Sequence, residues 1–162
     1  MTITDEKKKA QVLPFKVAKG FAALPKSVLY MYSGHPEVKP ATLSVYALLL
    51  DYHDEKLGYA FPTQDQIADA LFISRSTVSA AITTLKRLEL INTHENPRFG
   101  NLVYTFIRPI ELLQTFEEKF PEAKTYREEK EAARKRDIEG RHKRQEEFRA
   151  RVAQDRERCE IQ

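Results

Sequence analysis

Two short helices joined by a tight turn, over residues 63–88, most constrain what this chain can fold into. Thr63 stands where a side-chain oxygen caps a helix, and Gln66 occupies the reciprocal position of a capping box. Ser74 is placed to cap a second helix, which is predicted to run to about Leu88. One face of this second helix is apolar and the other is small, polar and slightly basic, so the apolar face is expected to pack on a domain.

Further elements are predicted on both sides of this pair. Residues 41–53 have the broad apolar face of a helix. Ile91–Glu95 and Leu102–Arg108 alternate as strands and are joined by a turn cluster, so they predict an antiparallel hairpin. Pro109 is expected to open another helix, which Pro121 interrupts.

Length and charge divide the chain into three parts. Its 162 residues suggest one domain with an appendage. We predict a flexible basic N-terminal arm over 1–13, a domain over 14–120, and a charged extension over 121–162. Residues 1–108 carry 13 Lys and Arg against 10 Asp and Glu, whereas residues 109–162 carry 14 of each. The basic excess therefore lies in the part that forms the core, which favours an anionic partner for it.

The C-terminal extension has two interpretations. Several acidic residues stand four positions before a basic residue, as Asp137 does before Arg141, and such pairs stabilise a helix. They favour a long exposed helix over 122–158, which Gly140 would destabilise locally. The alternative is a partly disordered charged segment. A functional version would bind a partner protein or a second copy of the chain through three apolar anchors, which are Phe148, Val152 and Ile161.

Several classes of protein are excluded or disfavoured. The longest clean apolar run, Val45–Leu50, is far shorter than the ~20 residues of a membrane span. The lysines near the N-terminus precede no apolar stretch, so we expect no signal peptide, and the single Cys159 suggests a reducing, cytoplasmic setting. The four histidines are scattered, and no phosphate-binding loop or nucleophile motif is present, so we expect no metal, no cofactor and no enzymatic activity.

The order helix, tight turn, helix, hairpin is that of a winged helix-turn-helix. Apolar residues fall where this motif buries them: Ile67, Ala68, Leu71, Ile73, Val78, Ile82 and Leu85. Over roughly residues 24–108 the chain resembles the winged-helix domains of plasmid and phage replication proteins and of GntR- and MarR-type regulators. The fold is thus expected to be mainly α, with a small β-hairpin wing and a long charged C-terminal helix.

The sequence departs from this pattern at one position. Phe72 stands at the turn where Gly is often found, and a bulky residue at positive φ is costly. Either the turn has another geometry or packing holds Phe72 in place.

The polar face of the second helix is the candidate DNA contact, because an α-helix fits the major groove of B-DNA. Arg75 is the candidate for base readout, since a bidentate contact to guanine is worth ~1–3 kcal/mol of discrimination. The other candidates are hydroxyl and basic side chains that reach phosphates or bases: Ser74, Ser76, Thr77, Ser79, Thr83, Lys86, Arg87 and, at the hairpin tip, Arg98.

Each of these assignments has a simpler alternative. Arg75 could be a surface residue paired with a carboxylate, and Arg98 could lie in a solvated turn. Lys7–Lys9, with Lys16 and Lys19, form either a basic arm that touches DNA or a solubilising end.

The sequence therefore predicts a protein that binds double-stranded DNA sequence-specifically, as a dimer. Its role would be transcription regulation, or replication or maintenance of a plasmid, phage or other mobile element. The alternative is a winged-helix module in a nucleoprotein complex that binds protein without direct base readout.

Overall fold

The computed structural model describes residues 13–160 of the chain. Its helices are α1 (Lys26–Tyr30), α2 (Pro40–Asp51), α3 (Gln64–Leu71), α4 (Arg75–Arg87), α5 (Leu113–Lys119) and α6 (Pro121–Glu160), with a 3-10 turn over Tyr32–Gly34. Its strands are β1 (Ile91–Glu95) and β2 (Leu102–Phe106). The mainly α fold with a hairpin wing and a long C-terminal helix is confirmed.

The two caps that define the helix pair form as predicted. The Thr63 side chain accepts from the Gln66 N–H at 3.1 Å, and Gln66 Oε1 accepts from the Thr63 N–H at 2.9 Å. Ser74 Oγ accepts from the Thr77 N–H at 3.1 Å. These bonds satisfy N–H groups that have no partner within their helices, which fixes where α3 and α4 begin.

The hairpin is antiparallel, with Ile91 opposite Phe106 and Glu95 opposite Leu102. Strand β2 ends at Phe106, two residues before the predicted end. Ala60 pairs with Tyr104 through two backbone hydrogen bonds of 2.9 and 2.8 Å, so the segment before α3 lies against the hairpin.

A single apolar cluster joins these elements. Helix α4 packs against both α2 and α3, and the hairpin closes the far side. The largest fully buried side chains come from every part of the domain: Tyr32, Tyr46, Leu49, Ile67, Leu85, Leu88, Ile91, Tyr104 and Phe116. This core holds α4 by one face only, which determines the face that remains exposed.

The turn between α3 and α4 resolves the question raised by Phe72. Its backbone is left-handed, with φ 55° and ψ 41°, and its side chain is 96% exposed. The turn therefore has the geometry that glycine usually supplies, and no packing of the ring holds it.

The segment after the hairpin differs from the prediction. The helix expected to open at Pro109 begins only at Leu113, so that prediction is wrong. The Ile110 N–H donates to the Tyr32 hydroxyl at 3.0 Å, a contact between residues 78 apart that ties this stretch to the core. The break expected at Pro121 is present, since Phe120 lies between α5 and α6.

The extension is helical. Helix α6 has 40 residues and a length of ~60 Å at 1.5 Å per residue. Its first turn packs on the domain through buried Ala123, whereas residues 128–159 are exposed apart from half-buried Gly140. Among the predicted pairs, Asp137 and Arg141 form an ion pair. Across residues 13–160, no helix combines the length and apolarity needed to cross a membrane.

Candidate nucleic-acid interface

Helix α4 is divided into a buried face and an exposed face. Val78, Ala81, Ile82 and Leu85 are buried, at the spacing of one side of a helix. The opposite side is exposed and carries short or basic side chains: Arg75, Ser76, Ser79, Ala80, Thr83 and Lys86. The rest of the described chain leaves this second face uncovered, so a partner can approach it.

The hydroxyl groups at the start of α4 form a local cluster. Ser74 Oγ lies 2.8 Å from both Ser76 Oγ and Thr77 Oγ1, in addition to its cap bond. Ser74 is thereby committed to capping, and Thr77 is half-buried, while Ser76 stays exposed. Further along, the Thr83 hydroxyl donates to the Ser79 carbonyl at 2.9 Å, which leaves its oxygen free to accept.

Arg75 projects from the first turn of α4 toward α3. Its Nη1 lies 3.5 Å from Asp65 Oδ1, and the two side chains are 68% and 66% exposed. An ion pair this exposed contributes little to stability, so a base or a phosphate can replace the carboxylate.

Arg87 is held by the protein itself. Its Nη2 donates to Glu122 Oε1 at 2.6 Å and its Nη1 pairs with Glu37. Two carboxylates thus meet its charge and tie the end of α4 to the start of α6. Because both carboxylates already bind its guanidinium, Arg87 is not among the DNA-contacting residues proposed below, in contrast to the prediction from the sequence.

A buried histidine completes this cluster. His35 is 1% exposed, its Nε2 lies 3.2 Å from Glu122 Oε1, and its Nδ1 accepts from the Glu37 N–H at 3.2 Å. Bonds from the backbone N–H of Glu122 and from His35 lower the pKa of the Glu122 carboxyl. Sequence reasoning missed this group, because no local pattern links residue 35 to residue 122.

The wing tip places one basic side chain in solvent. Arg98 is exposed, and its guanidinium lies 5.1 Å from the centre of the Phe99 ring. The Arg98 N–H donates to Asn96 Oδ1 at 2.9 Å, and Gly100 at φ +66° lets the chain reverse. Arg98 is therefore presented on an ordered turn, on a different element from α4.

A groove beside α4 adds a residue that the sequence analysis did not single out. The groove has a volume of about 310 Å³ and lies between the start of α2 and α4, lined by Lys39, Thr42, Thr77, Ala80 and others. Lys39 thus lies beside the exposed face of α4. Because this proximity depends on how α2 packs across α4, a single sequence gives no sign of it.

The remaining predicted basic residues lie in the N-terminal segment. Lys16 and Lys19 are exposed, and Lys7–Lys9 lie outside the described residues. Within residues 13–160, no three His, Cys, Asp or Glu side chains are grouped so as to hold a metal ion.

Comparison with known proteins agrees with this architecture. A family described as a helix-turn-helix domain matches residues 37–91, which run from just before α2 to the first residue of β1. Over these residues the chain is similar to that family, and in the structure α3, the turn and α4 form a helix-turn-helix that the β1–β2 hairpin follows as a wing.

Two solved structures show low similarity. A point mutant of S. aureus MepR is 20% identical, with 63% of this chain and 76% of that chain covered and a TM-score of 0.39. The S. aureus MepR–DNA complex is 19% identical, with 64% and 78% covered and a TM-score of 0.36. None of the curated proteins matches the chain.

Proposed function

We propose that this protein binds double-stranded DNA sequence-specifically, with α4 in the major groove. The observation that carries the proposal is the exposed face of α4, which presents hydroxyl and basic groups opposite a face anchored in the core. A helix of this kind fits the major groove, where short side chains near its N-terminus reach base edges.

The basic residues divide into two roles. Arg75, at the first turn of α4, is proposed to read a base, because its guanidinium is exposed and held only by a weak ion pair. Lys86 on α4 and Arg98 on the wing are proposed to contact phosphates, which position a protein without reading sequence.

The biological role proposed is a cytoplasmic, dimeric regulator of transcription, or a replication or maintenance factor of a plasmid, phage or other mobile element. The resemblance of residues 24–108 to such proteins supports this role. No enzymatic step is assigned. The C-terminal extension is proposed to bind a protein partner.

The test is selection of bound fragments from random duplexes, followed by a salt titration on the selected site. We expect one consensus, with affinity that falls steeply as salt rises. Lys86→Ala should lower the slope of log affinity against log salt by about 1, whereas Lys135→Ala, an exposed lysine on α6, should leave it unchanged. No consensus together with salt-insensitive protein binding would favour the interaction-module alternative.

A further inference from the structure

The distal half of α6 carries an apolar pair in the middle of an arginine-rich face. Phe148 and Val152 are one helical turn apart and are 66% and 37% exposed. Each residue of an α-helix is rotated by ~100° from the one before it, so positions can be compared by their angle around the helix axis. Five arginines lie within about 80° of the direction midway between Phe148 and Val152: Arg141, Arg144, Arg149, Arg151 and Arg156. Asp155 is the one acidic residue of this face between 141 and 156.

The glutamates of the same segment lie on the other side. Glu139, Glu146 and Glu157 fall roughly 140–160° from the direction midway between Phe148 and Val152, and Glu147 roughly 120° from it. Over residues 139–157, six Lys and Arg side chains nearly balance five Asp and Glu side chains, but most of the positive and negative charges lie on opposite faces of the helix. Arg141 pairs with Asp137, so the charge of this face rests mainly on the other four arginines.

Within residues 13–160, the domain does not cover this face. Residue 141 is 20 residues beyond the start of α6, or ~30 Å along one continuous helix. Residues 141–159 are all exposed. A surface that combines a large exposed aromatic ring with flanking charge of one sign is suited to an external partner of the opposite sign.

We infer that residues 141–156 bind an acidic amphipathic helix of a partner protein. Leucine-like side chains of the partner would cover Phe148 and Val152, and carboxylates on both sides would pair with Arg144, Arg149, Arg151 and Arg156. The face is ~22 Å long, which fits a partner helix of about 15 residues. This inference specifies the partner proposed for the extension and does not depend on DNA binding by α4.

Three other occupants fit the face less well. A second copy of the same face would place arginines against arginines. A DNA backbone offers charge but nothing that buries Phe148. A membrane surface is bound by helices with a wide apolar face, whereas this face has two bulky apolar side chains.

The test measures binding of two synthetic peptides to the full chain by fluorescence anisotropy. Both peptides carry leucines on one helical face, flanked by Glu in one peptide and by Lys in the other. We expect the Glu peptide to bind and the Lys peptide to bind at least tenfold more weakly. Phe148→Ala should weaken binding of the Glu peptide by about tenfold. Arg149→Ala with Arg151→Ala should weaken it more at low salt than at high salt.

Lys143→Ala, on the opposite face, is the matched control and should bind as the unchanged chain does. Equal binding of the two peptides, or unchanged binding by Phe148→Ala, would overturn the inference. Self-association that Phe148→Ala abolishes would assign the face to a second copy instead. If Arg149→Ala with Arg151→Ala weakened only binding to random duplex DNA, the face would be a DNA contact. None of these outcomes depends on the selected DNA site, so the two proposals fail separately.

Discussion

Replacing Phe72 tests how the turn between α3 and α4 is stabilised. The residue has φ 55° and a side chain that is 96% exposed, so the ring adds almost no buried area to the fold. We expect Phe72→Gly to make the protein more stable, although it removes a large aromatic side chain.

The expected size follows from two opposing terms. In the left-handed region, steric strain destabilises a residue with a β-carbon by about 1–2 kcal/mol, whereas glycine has no such strain there. Glycine also loses more conformational entropy on folding than other residues, and this loss destabilises the folded protein by about 0.5–1 kcal/mol. The net gain expected is about 0–1.5 kcal/mol in the free energy of unfolding, with a central value of about 0.7 kcal/mol.

Urea unfolding followed by circular dichroism measures this change, and Phe72→Ala is the control. The alanine keeps the β-carbon and loses only the exposed ring, so it should stay within about 0.5 kcal/mol of the unchanged protein. A loss above about 1 kcal/mol for Phe72→Ala would show that the ring packs on something. A loss for Phe72→Gly would refute the argument from backbone strain.

Three further predictions concern the N-cap of α4, the carboxylate of Glu122 that binds Arg87 and His35, and the helix α6. Ser74→Ala removes the N-cap of α4 and should lower the free energy of unfolding by about 1 kcal/mol, measured by urea unfolding; an unchanged midpoint would contradict the cap. The pKa of the Glu122 carboxyl is lower in the folded protein than its ordinary value of 4.5, so ionised Glu122 stabilises the folded state. This stabilisation is fully present above pH 4.5 and is lost as the pH falls through the lower pKa of the folded protein. The free energy of unfolding should therefore fall less between about pH 6 and pH 3 for Glu122→Gln than for the unchanged chain. An equal fall in the two proteins would contradict a stabilising role for the Glu122 carboxylate. Gly140→Ala should favour the helix by about 1 kcal/mol and so raise the helical circular dichroism signal of α6. The added β-carbon would lie 3.5 Å from Arg144, which is an ordinary van der Waals contact, so it causes no clash. A decrease in the signal would contradict a continuous helix.

The parts of the fold that were predicted correctly depend on local signals. The caps at Thr63 and Ser74 involve residues three positions apart, and alternation over 91–95 and 102–106 fixes the hairpin. Such patterns depend on the backbone and a few neighbours, so they can be read before any packing is known.

The parts that were missed depend on contacts between distant residues. Arg87 meets Glu37, 50 positions earlier, and Glu122, 35 positions later, so two carboxylates bind a guanidinium that the local sequence pattern leaves unpaired. The late start of α5 accompanies the contact between Tyr32 and Ile110. A single sequence predicts amphipathic faces but not which charged residues meet across them.

Tethered cleavage of DNA tests the central claim most directly. Ala80→Cys places a thiol in the middle of the exposed face of α4, in a chain whose exposed Cys159 has first been replaced by serine. An iron chelate attached there should cut both strands within each half-site of the selected site, where α4 is proposed to lie, while the same chelate at Lys143→Cys on α6 should not cut there. Cutting from residue 143 with none from residue 80 would contradict the placement of α4 in the major groove.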